Sequence, residues 1–255
     1  MRGQGLWLRG ISGLGMAFLY LPIIVLVVFS WNASRLSATW QGFSWHWYGV
    51  LWHDEALLAA AVNSLWVAAL STSLVVLLGV PAAMGLERLR GRGRQALDTI
   101  LLLPLVLPEV MMGVALLLFF VMIQWPLSLA TVVVGHAAFN LPVVIVMVRV
   151  RLQKLDPRLE EAASDLGASA WQTFYRVTWP LVRPAVLGAA LLAFTISLDD
   201  FIVTFFVAGP GATTLPLKVY SMIKSGLSPE INALSSVLVL ASMGLVGLSL
   251  AFQRR

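Results

Sequence analysis

The sequence Glu161-Ala-Ala-Ser-Asp-Leu-Gly167 lies in a basic loop between strongly apolar segments. Apolar residues recur there at positions i, i+3, i+4 and i+7, which predicts one apolar face on a helix about two turns long. The residues of this face are Leu159, Ala162, Ala163 and Leu166. Asp156 is suited to cap the start of the helix, Pro157 to occupy its first position, and Gly167 to end it in a left-handed conformation.

A second short helix is predicted directly after Gly167. Ser169-Ala-Trp-Gln172 has the spacing of a capping box, in which the side chains of the first and fourth residues bond each other's backbone amides. The loop is therefore expected to contain two short helices that meet at a glycine elbow. An ordinary connector with a chance amphipathic turn is an equally good interpretation of this local pattern alone.

The composition indicates a membrane protein. Of the 255 residues, 59% are hydrophobic and 11% are charged, and the mean hydropathy is +0.88. Soluble domains contain about 25% charged residues. A chain this apolar cannot cover itself with polar surface, so the bilayer must be its solvent. The absence of cysteine excludes a disulfide framework and a thiolate metal site.

Six membrane-spanning helices are predicted from the apolar runs. The first could instead be a signal peptide, but it is longer than the usual apolar region of such peptides and no clear cleavage site follows. We expect it to be retained as a span. The predicted spans are about 11–29, 58–86, 99–121, 129–148, 184–207 and 232–252.

The distribution of Lys and Arg predicts the side on which each loop lies. The net charge of +5 does not indicate nucleic-acid binding, because the basic residues lie between apolar spans. Fourteen of the 17 basic residues fall on one side and only Arg35, Lys218 and Lys224 on the other. Both termini and the Glu161 loop are therefore expected in the cytoplasm. The cytoplasmic set is Arg2, Arg9, Arg88, Arg90, Arg92, Arg94, Arg149, Arg151, Lys154, Arg158, Arg176, Arg183, Arg254 and Arg255.

The predicted domain organisation follows from these spans. Residues 1–57 form the first span and an external loop, and residues 58–253 form a five-helix core with a cytoplasmic helix at about 157–168. Aromatic residues in the external loop favour the membrane interface over a carbohydrate platform. They are Trp31, Trp40, Trp45, Trp47, Tyr48 and Trp52. His46 and His53 have no metal-binding spacing.

The loop resembles the EAA loop of ABC importer permeases. Glu161-Ala162-Ala163, Gly167 and Pro180 stand at the usual offsets, and Trp179 replaces the Leu that is common there. The resemblance implies an all-α type I ABC permease (MetI-like) bundle with six transmembrane helices. It also implies that the loop is the coupling helix that docks into the ATP-hydrolysing subunit. The ATPase-coupling residues would be Glu161, Ala162, Ala163, Asp165 and Gly167.

No catalytic chemistry is predicted in this chain. It has no Gly-x-x-x-x-Gly-Lys-Ser/Thr sequence that could cradle phosphates, so ATP hydrolysis would belong to another chain. We expect no cofactor here, with ATP and Mg bound by the partner ATPase. His136 stands alone in the fourth predicted span, where a packed and hydrogen-bonded histidine is more common than a metal ligand.

Three carboxylates lie inside predicted spans and are candidates for a substrate pathway. Glu109, Asp199 and Asp200 would each cost about 2.5–3.5 kcal/mol at a helix centre, so each must face protein or a wet cavity. Adjacent residues on a helix point about 100° apart, so one aspartate can face a pore while the other needs a partner such as Ser197, Thr204 or a helix N-terminus. Their alternative role is to hold helices or a sibling permease together.

Two prolines in the third span suggest a break beside one of these carboxylates. Pro104 and Pro108 remove backbone donors and kink a helix. Such a kink next to Glu109 could form a gate or could merely shape the packing. Asn140-Leu-Pro142 in the fourth span allows the same two interpretations.

A narrower resemblance, to spermidine/putrescine permeases, covers nearly the whole chain. It is densest in Ser197-Leu-Asp-Asp-Phe201, Gly209-Pro-Gly-Ala-Thr-Thr-Leu-Pro216 and Ser228-Pro-Glu-Ile-Asn-Ala233. It implies a multi-pass subunit of a bacterial inner-membrane polyamine importer. The implied partners are a second permease in a heterodimer, an ATPase dimer, a periplasmic solute-binding protein and membrane lipid. The alternatives are a permease for another small solute, a stand-alone secondary transporter with Glu109 and Asp199 as an ion relay, and a membrane scaffold.

Overall fold

A computed structural model describes residues 2–34, 39–89, 91–226 and 228–253. Within these ranges the chain is helical, with a single isolated β-bridge between Asn32 and Phe43. Arg35, Arg90, Arg254 and Arg255, used above to predict sidedness, lie outside the described residues. The helices are α1 (Arg2–Phe29), α2 (His46–His53), α3 (Glu55–Arg88), α4 (Arg92–Val106), α5 (Glu109–Met122), α6 (Leu129–Leu152), α7 (Arg158–Asp165), α8 (Ala170–Thr173), α9 (Trp179–Asp199), α10 (Ile202–Val207), α11 (Leu215–Ser225) and α12 (Pro229–Gln253).

Four of the described helical stretches are long and apolar enough to cross a membrane. They are Arg9–Phe29, Glu55–Arg88, Leu129–Leu152 and Ala170–Asp199. A fifth span is formed if α4 and α5 are counted as one broken helix, since they pass the same test together. The described apolar part of α12, Pro229–Met243, is shorter. The count of six spans and the cytoplasmic location of both ends therefore stay predictions.

The third predicted span is broken at one of its two prolines. Leu107 is extended, with ψ 138°, and α4 and α5 meet there at an angle of 108°. A residue before proline is pushed out of the helical region by the proline ring, so Pro108 makes Leu107 the natural breaking point. Pro104, by contrast, is accommodated inside α4. The break places Glu109 at the first turn of α5 rather than in the middle of a helix.

The fifth predicted span is also different in the structure. Its helix begins at Ala170, because α8 continues through a π-helical turn at Phe174–Thr178 into α9. It ends at Asp199, and Asp200 is extended with ψ 123° before α10 begins. The short second helix of the loop is thus the first turn of a long span, which runs about 45 Å at 1.5 Å per residue.

Residues Ala59–Leu217 form one compact unit, which contains the elbow and the intramembrane carboxylates. In lipid the hydrophobic effect does not draw helices together, so association depends on close packing of side chains. One core joins α3, α6 and α9 through small and β-branched residues. Its fully buried members include Val75, Ala83, Val144, Val148, Ala189 and Ala193.

A second core in this unit holds the two short half-helices α5 and α10 together. Phe120 on α5 packs in it with Val203 and Val207 on α10. Gly113 permits the close approach, because a Cβ there would lie 2.5 Å from the ring of Phe206. The half-helices that follow the two breaks are therefore packed directly against each other.

Residues Met1–Leu58 and Lys218–Arg255 form the second unit. Asn32 organises its loop by accepting from the Gln41 amide at 2.9 Å and donating to the Thr39 carbonyl at 2.7 Å. The Trp47 indole donates to the Asn32 carbonyl at 2.8 Å. Several of the predicted interface aromatics also contact one another. Such contacts join Trp31 to Trp45, and Trp45 to Tyr48.

Candidate functional site

The loop between α6 and the helix Ala170–Asp199 forms the predicted glycine elbow. Gly167 has a φ of +81°, in the left-handed region. Its amide donates to the Ser164 carbonyl at 2.9 Å, and the Ala168 amide donates to the Ala163 carbonyl at 3.0 Å. These two bonds form a Schellman motif, which satisfies the last carbonyls of α7. The predicted left-handed end of this helix is confirmed.

The capping box after the elbow is confirmed as well. The Ser169 amide donates to the Gln172 side chain at 2.9 Å, and the Gln172 amide donates to the Ser169 hydroxyl at 3.4 Å. The start of α7 is one residue later than predicted, because Pro157 precedes the helix and Asp156 accepts from the Arg158 amide at 3.0 Å. Asp156 still satisfies a first-turn donor, which is the function expected of it.

The elbow presents its surface to solvent. No residue of α7 is buried, and Leu159 and Leu166 are 46% and 89% exposed. Of the predicted coupling residues, Ala163 is half-buried and the other four are exposed; these are Glu161, Ala162, Asp165 and Gly167. Large exposed apolar side chains outside a membrane span are typical of a protein–protein contact surface. The elbow therefore has the shape and chemistry of a docking element.

Glu160 attaches the elbow to the long span and was not predicted from the sequence. Its carboxylate accepts from the Thr178 hydroxyl at 2.6 Å. The two residues are 18 positions apart, so no local pattern indicates the contact. Two arginines at the C-terminal end of α6 make further contacts. Arg149 donates to Asp98 and forms an ion pair with Glu87. Arg151 donates to the Leu181 carbonyl at 2.9 Å. These polar contacts hold together the ends of α3, α4, α6 and α9 that lie next to the elbow.

The two helix breaks line one intramembrane cavity. It has a volume of about 670 Å³ and is lined by residues of α4, α5, α6, α9 and α10. Leu107 and Glu109 contribute from the first break, and Asp199, Asp200 and Phe201 from the second. The structure thus brings together all three predicted pathway carboxylates. Broken helices at membrane depth are tolerated only where protein or a wet cavity satisfies the freed backbone groups.

Asp200 is bound within the protein. Its carboxylate accepts from the Thr204 amide and hydroxyl, both at 2.9 Å, and from the Val203 amide at 3.3 Å, so it caps α10. His136 Nε2 lies 3.1 Å from the same carboxylate, and the two side chains are 1% and 7% exposed. His136 Nδ1 in turn bonds Ser197 at 2.6 Å. His136 is therefore a packed, hydrogen-bonded histidine, as predicted.

Asp199 and Glu109 have a different environment. Both residues are exposed, and neither makes a hydrogen bond or ion pair with any residue that the structure describes. No lysine or arginine is among the described residues that line the cavity. Two unpaired carboxylates facing a low-dielectric cavity give it a negative potential that concentrates cations. The cavity is suited to a positively charged ligand.

Metal binding has no support in the described part of the chain. No group of three or more His, Asp and Glu residues there is arranged to hold a metal ion. His46 contacts the Trp47 ring, and His53 bonds the Gly49 carbonyl at 2.8 Å within its own helix.

Comparison with known proteins identifies the family. The chain belongs to the binding-protein-dependent transport system inner membrane components, whose pattern matches residues 75–255. It is therefore an inner-membrane transport component rather than an enzyme, and the predicted ABC permease fold class is confirmed. The match begins within α3, so the predicted boundaries of 1–57 and 58–253 stay predictions.

Its relatives include permeases of several transport systems. The chain is 43% identical to the putrescine transport system permease protein PotI of Escherichia coli K12, over 94% of this chain and 88% of that one. It is 40% identical to the spermidine/putrescine transport system permease protein PotC of Haemophilus influenzae, over 94% and 93%. The molybdenum transport system permease protein ModB of Mycobacterium bovis is 36% identical over 80% and 82%.

Solved structures share the fold. A subunit of a bacterial ABC transporter that imports the acidic polysaccharide alginate superposes with a TM-score of 0.74, at 18% identity and over 99% of this chain and 96% of that one. A subunit of an amino acid ABC transporter superposes with a TM-score of 0.61, at 19% identity and over 82% and 98%. At these identities the likeness establishes the architecture and leaves the transported solute open.

Proposed function

We propose that this chain is one of two different permease subunits of an ABC importer for polyamines such as putrescine and spermidine. The observation that carries the proposal is the cavity between two helix breaks, where Asp199 and Glu109 face a volume of about 670 Å³ without a partner among the described residues. Ammonium groups of a polyamine would supply the missing positive charge. The 43% and 40% identity to putrescine and spermidine/putrescine permeases supports the same substrate class.

The elbow would couple this cavity to ATP hydrolysis elsewhere in the complex. A dimeric ATPase subunit would receive α7, with Glu161 and Asp165 at its cleft, and would hold all ATP and Mg. A periplasmic solute-binding protein would deliver the substrate. The helix Ala170–Asp199 runs from the elbow to the cavity, so a displacement of α7 would reach the break at Asp200 along one continuous element.

Permeases for other solutes are the main alternative. The 36% identity to a molybdenum transport permease shows that this level of similarity spans substrate classes. A cavity with unpaired carboxylates and no lining lysine or arginine among the described residues would repel an anionic solute. A secondary transporter that works alone would use the carboxylates but would have no need of an exposed cytoplasmic elbow.

The proposal is tested by reconstituting the chain with its partner subunits and measuring polyamine-stimulated ATP hydrolysis and uptake. We expect putrescine or spermidine to stimulate both and an oxyanion to stimulate neither. Asp199→Asn should raise the KM for uptake about 10- to 100-fold at unchanged membrane level, because a hydrogen bond to a charged group is worth about 1.5–3 kcal/mol. Uptake without the ATPase, or stimulation by the anion alone, would contradict the proposal.

A further inference from the structure

Asn140 lines the same cavity but was not among the predicted pathway residues. It lies on α6 and is fully buried. Neither its Oδ1 nor its Nδ2 has a hydrogen-bond partner among the residues that the structure describes. Buried polar side chains nearly always have a partner, so each exception needs a specific explanation.

His136, one turn earlier on α6, is a buried polar residue whose side chain does have hydrogen-bond partners. His136 and Asn140 are separated by four positions and so share one face of α6. His136 bonds Ser197, Thr204 and Asp200, which fixes the break after α9. Asn140 has no corresponding set of contacts. The amide is therefore not needed to hold α6 against its described neighbours.

We propose that Asn140 is a substrate-binding residue whose amide Oδ1 accepts a hydrogen bond from an ammonium N–H of the transported cation. The inference rests on the proposed function, because it requires an organic cation in the cavity. An ammonium group carries three donors, and Asp199 or Glu109 does not use all of them. A neutral amide can orient the remaining N–H without adding a third unpaired charge. That suits a pathway from which the substrate must also leave.

The first test compares three variants in the reconstituted complex with labelled putrescine. Asn140→Leu keeps a similar volume and removes the acceptor, and we expect its KM to rise about tenfold. Asn140→Asp keeps an acceptor oxygen and adds charge, so its KM should stay at or below the wild-type value. Thr72→Val is the matched control, because the Thr72 hydroxyl is also buried without a described partner but does not line the cavity. Its KM should be that of wild type.

The order of the variants separates binding from packing. If Asn140 only packs, the apolar Asn140→Leu is tolerated and the buried charge of Asn140→Asp is harmful, which reverses the expected order and overturns the inference. A wild-type KM in Asn140→Leu overturns it too. If the wild-type complex itself transports no polyamine, the proposed function fails, and this is seen before any variant is compared.

A labelling experiment keeps the test open if Asn140→Leu fails to assemble. The chain contains no cysteine, so Asn140→Cys introduces a single thiol. We expect a small thiol reagent to modify it in the assembled complex and putrescine to slow that modification, with no such slowing at Thr72→Cys. A thiol at position 140 that the reagent does not reach, or that putrescine does not protect, would overturn the inference.

Discussion

The elbow and the cavity are built by different kinds of contact. In the elbow, the bonds that define the turn join residues three to five positions apart, such as Gly167 to Ser164 and Ala168 to Ala163. At the helix break beside the cavity, His136 bonds Ser197 and Thr204, which are 61 and 68 positions away. The elbow is exposed and locally determined. The cavity exists only after α4, α6, α9 and the half-helices α5 and α10 have packed together.

This difference predicts how each region responds to substitution. A locally built element can change its conformation while the rest of the fold persists, so its variants should lose coupling and keep assembly. A network that joins distant helices contributes to the fold itself, so its variants should lose assembly first. Asp199 and Asp200 make the contrast sharpest, because they are adjacent in sequence but only Asp200 is bound into the network.

The largest effect is expected for Asp200→Ala. The substitution removes the cap of α10 and the hydrogen-bond partner of His136, and each buried group left without a partner costs about 1–3 kcal/mol. We expect most of the folded protein to be lost from the membrane fraction and the remainder to have a lower Tm in detergent. Asp199→Ala is the matched control and should assemble normally. A yield of Asp200→Ala equal to that of Asp199→Ala would show that the contacts of Asp200 with α10 and His136 are not what the assembly depends on.

The sequence predicted the elbow more completely than the cavity. The capping residues, the left-handed glycine and the capping box depend on side chains within a few positions, and single-sequence patterns report such contacts. The three carboxylates were recognised because charge is costly in lipid. The sequence also predicted that one aspartate would need a partner such as Thr204 or a helix N-terminus, and Asp200 has both. Which of the two aspartates would be bound was not predictable, since Asp200 is distinguished from Asp199 by His136 on another helix.

The breaks were only partly predictable, again for physical reasons. Pro108 indicated a kink, and in the structure α4 ends just before this proline and meets α5 at an angle of 108°. The break at Asp200 has no proline, so no local signal identified it. Glu160 was missed, and Asn140 was named only beside Pro142 as part of a possible kink, not as a binding residue. Glu160 binds Thr178 across the loop, and the distinction of Asn140 is its lack of a described partner.

A smaller effect, confined to coupling, is expected for Gly167→Val. A Cβ at Gly167 would meet nothing within 4 Å, so the cost of substitution is conformational. The left-handed region costs an ordinary residue about 1–2 kcal/mol and is least tolerated by β-branched residues. We expect a normal membrane level but a 5- to 30-fold loss of polyamine-stimulated uptake, the factor that corresponds to this energy.

Gly167→Asn is the matched control for this variant. Asparagine is the residue that most often replaces glycine at a left-handed helix end. It should retain uptake close to that of wild type, and the KM for substrate should be unchanged in both variants. Equal uptake by the two variants would show that the backbone conformation of Gly167 is not needed for coupling. A loss of assembly in Gly167→Val would contradict the prediction that elbow variants lose coupling while only variants of the network around Asp200 lose assembly.

The smallest effect is expected for Asp54→Asn, which tests whether burial makes Asp200 so sensitive. Asp54 precedes α3, accepts from the Leu57 amide at 2.9 Å and lies 3.3 Å from the Lys218 ammonium, with both charged side chains 22% exposed. Burial alone would raise the pKa of Asp54, but the bonds from Leu57 and Lys218 outweigh it and lower that pKa below its ordinary value.

The sign of the pH dependence follows from that lowered pKa. The ionised carboxylate stabilises the folded unit above the ordinary pKa of about 3.9, and the contribution is lost as pH falls through the lower folded value. Asparagine keeps the helix cap and removes the ion pair, so the free energy of unfolding should fall by less than about 1 kcal/mol at pH 7. Thermal unfolding in detergent at pH 7 and below pH 4 measures this difference, which should shrink in acid. If Asp54→Asn lowered the free energy of unfolding at pH 7 as much as Asp200→Ala does, burial would not explain the sensitivity of Asp200. The cost of removing a carboxylate from this protein would then depend on its pairing alone.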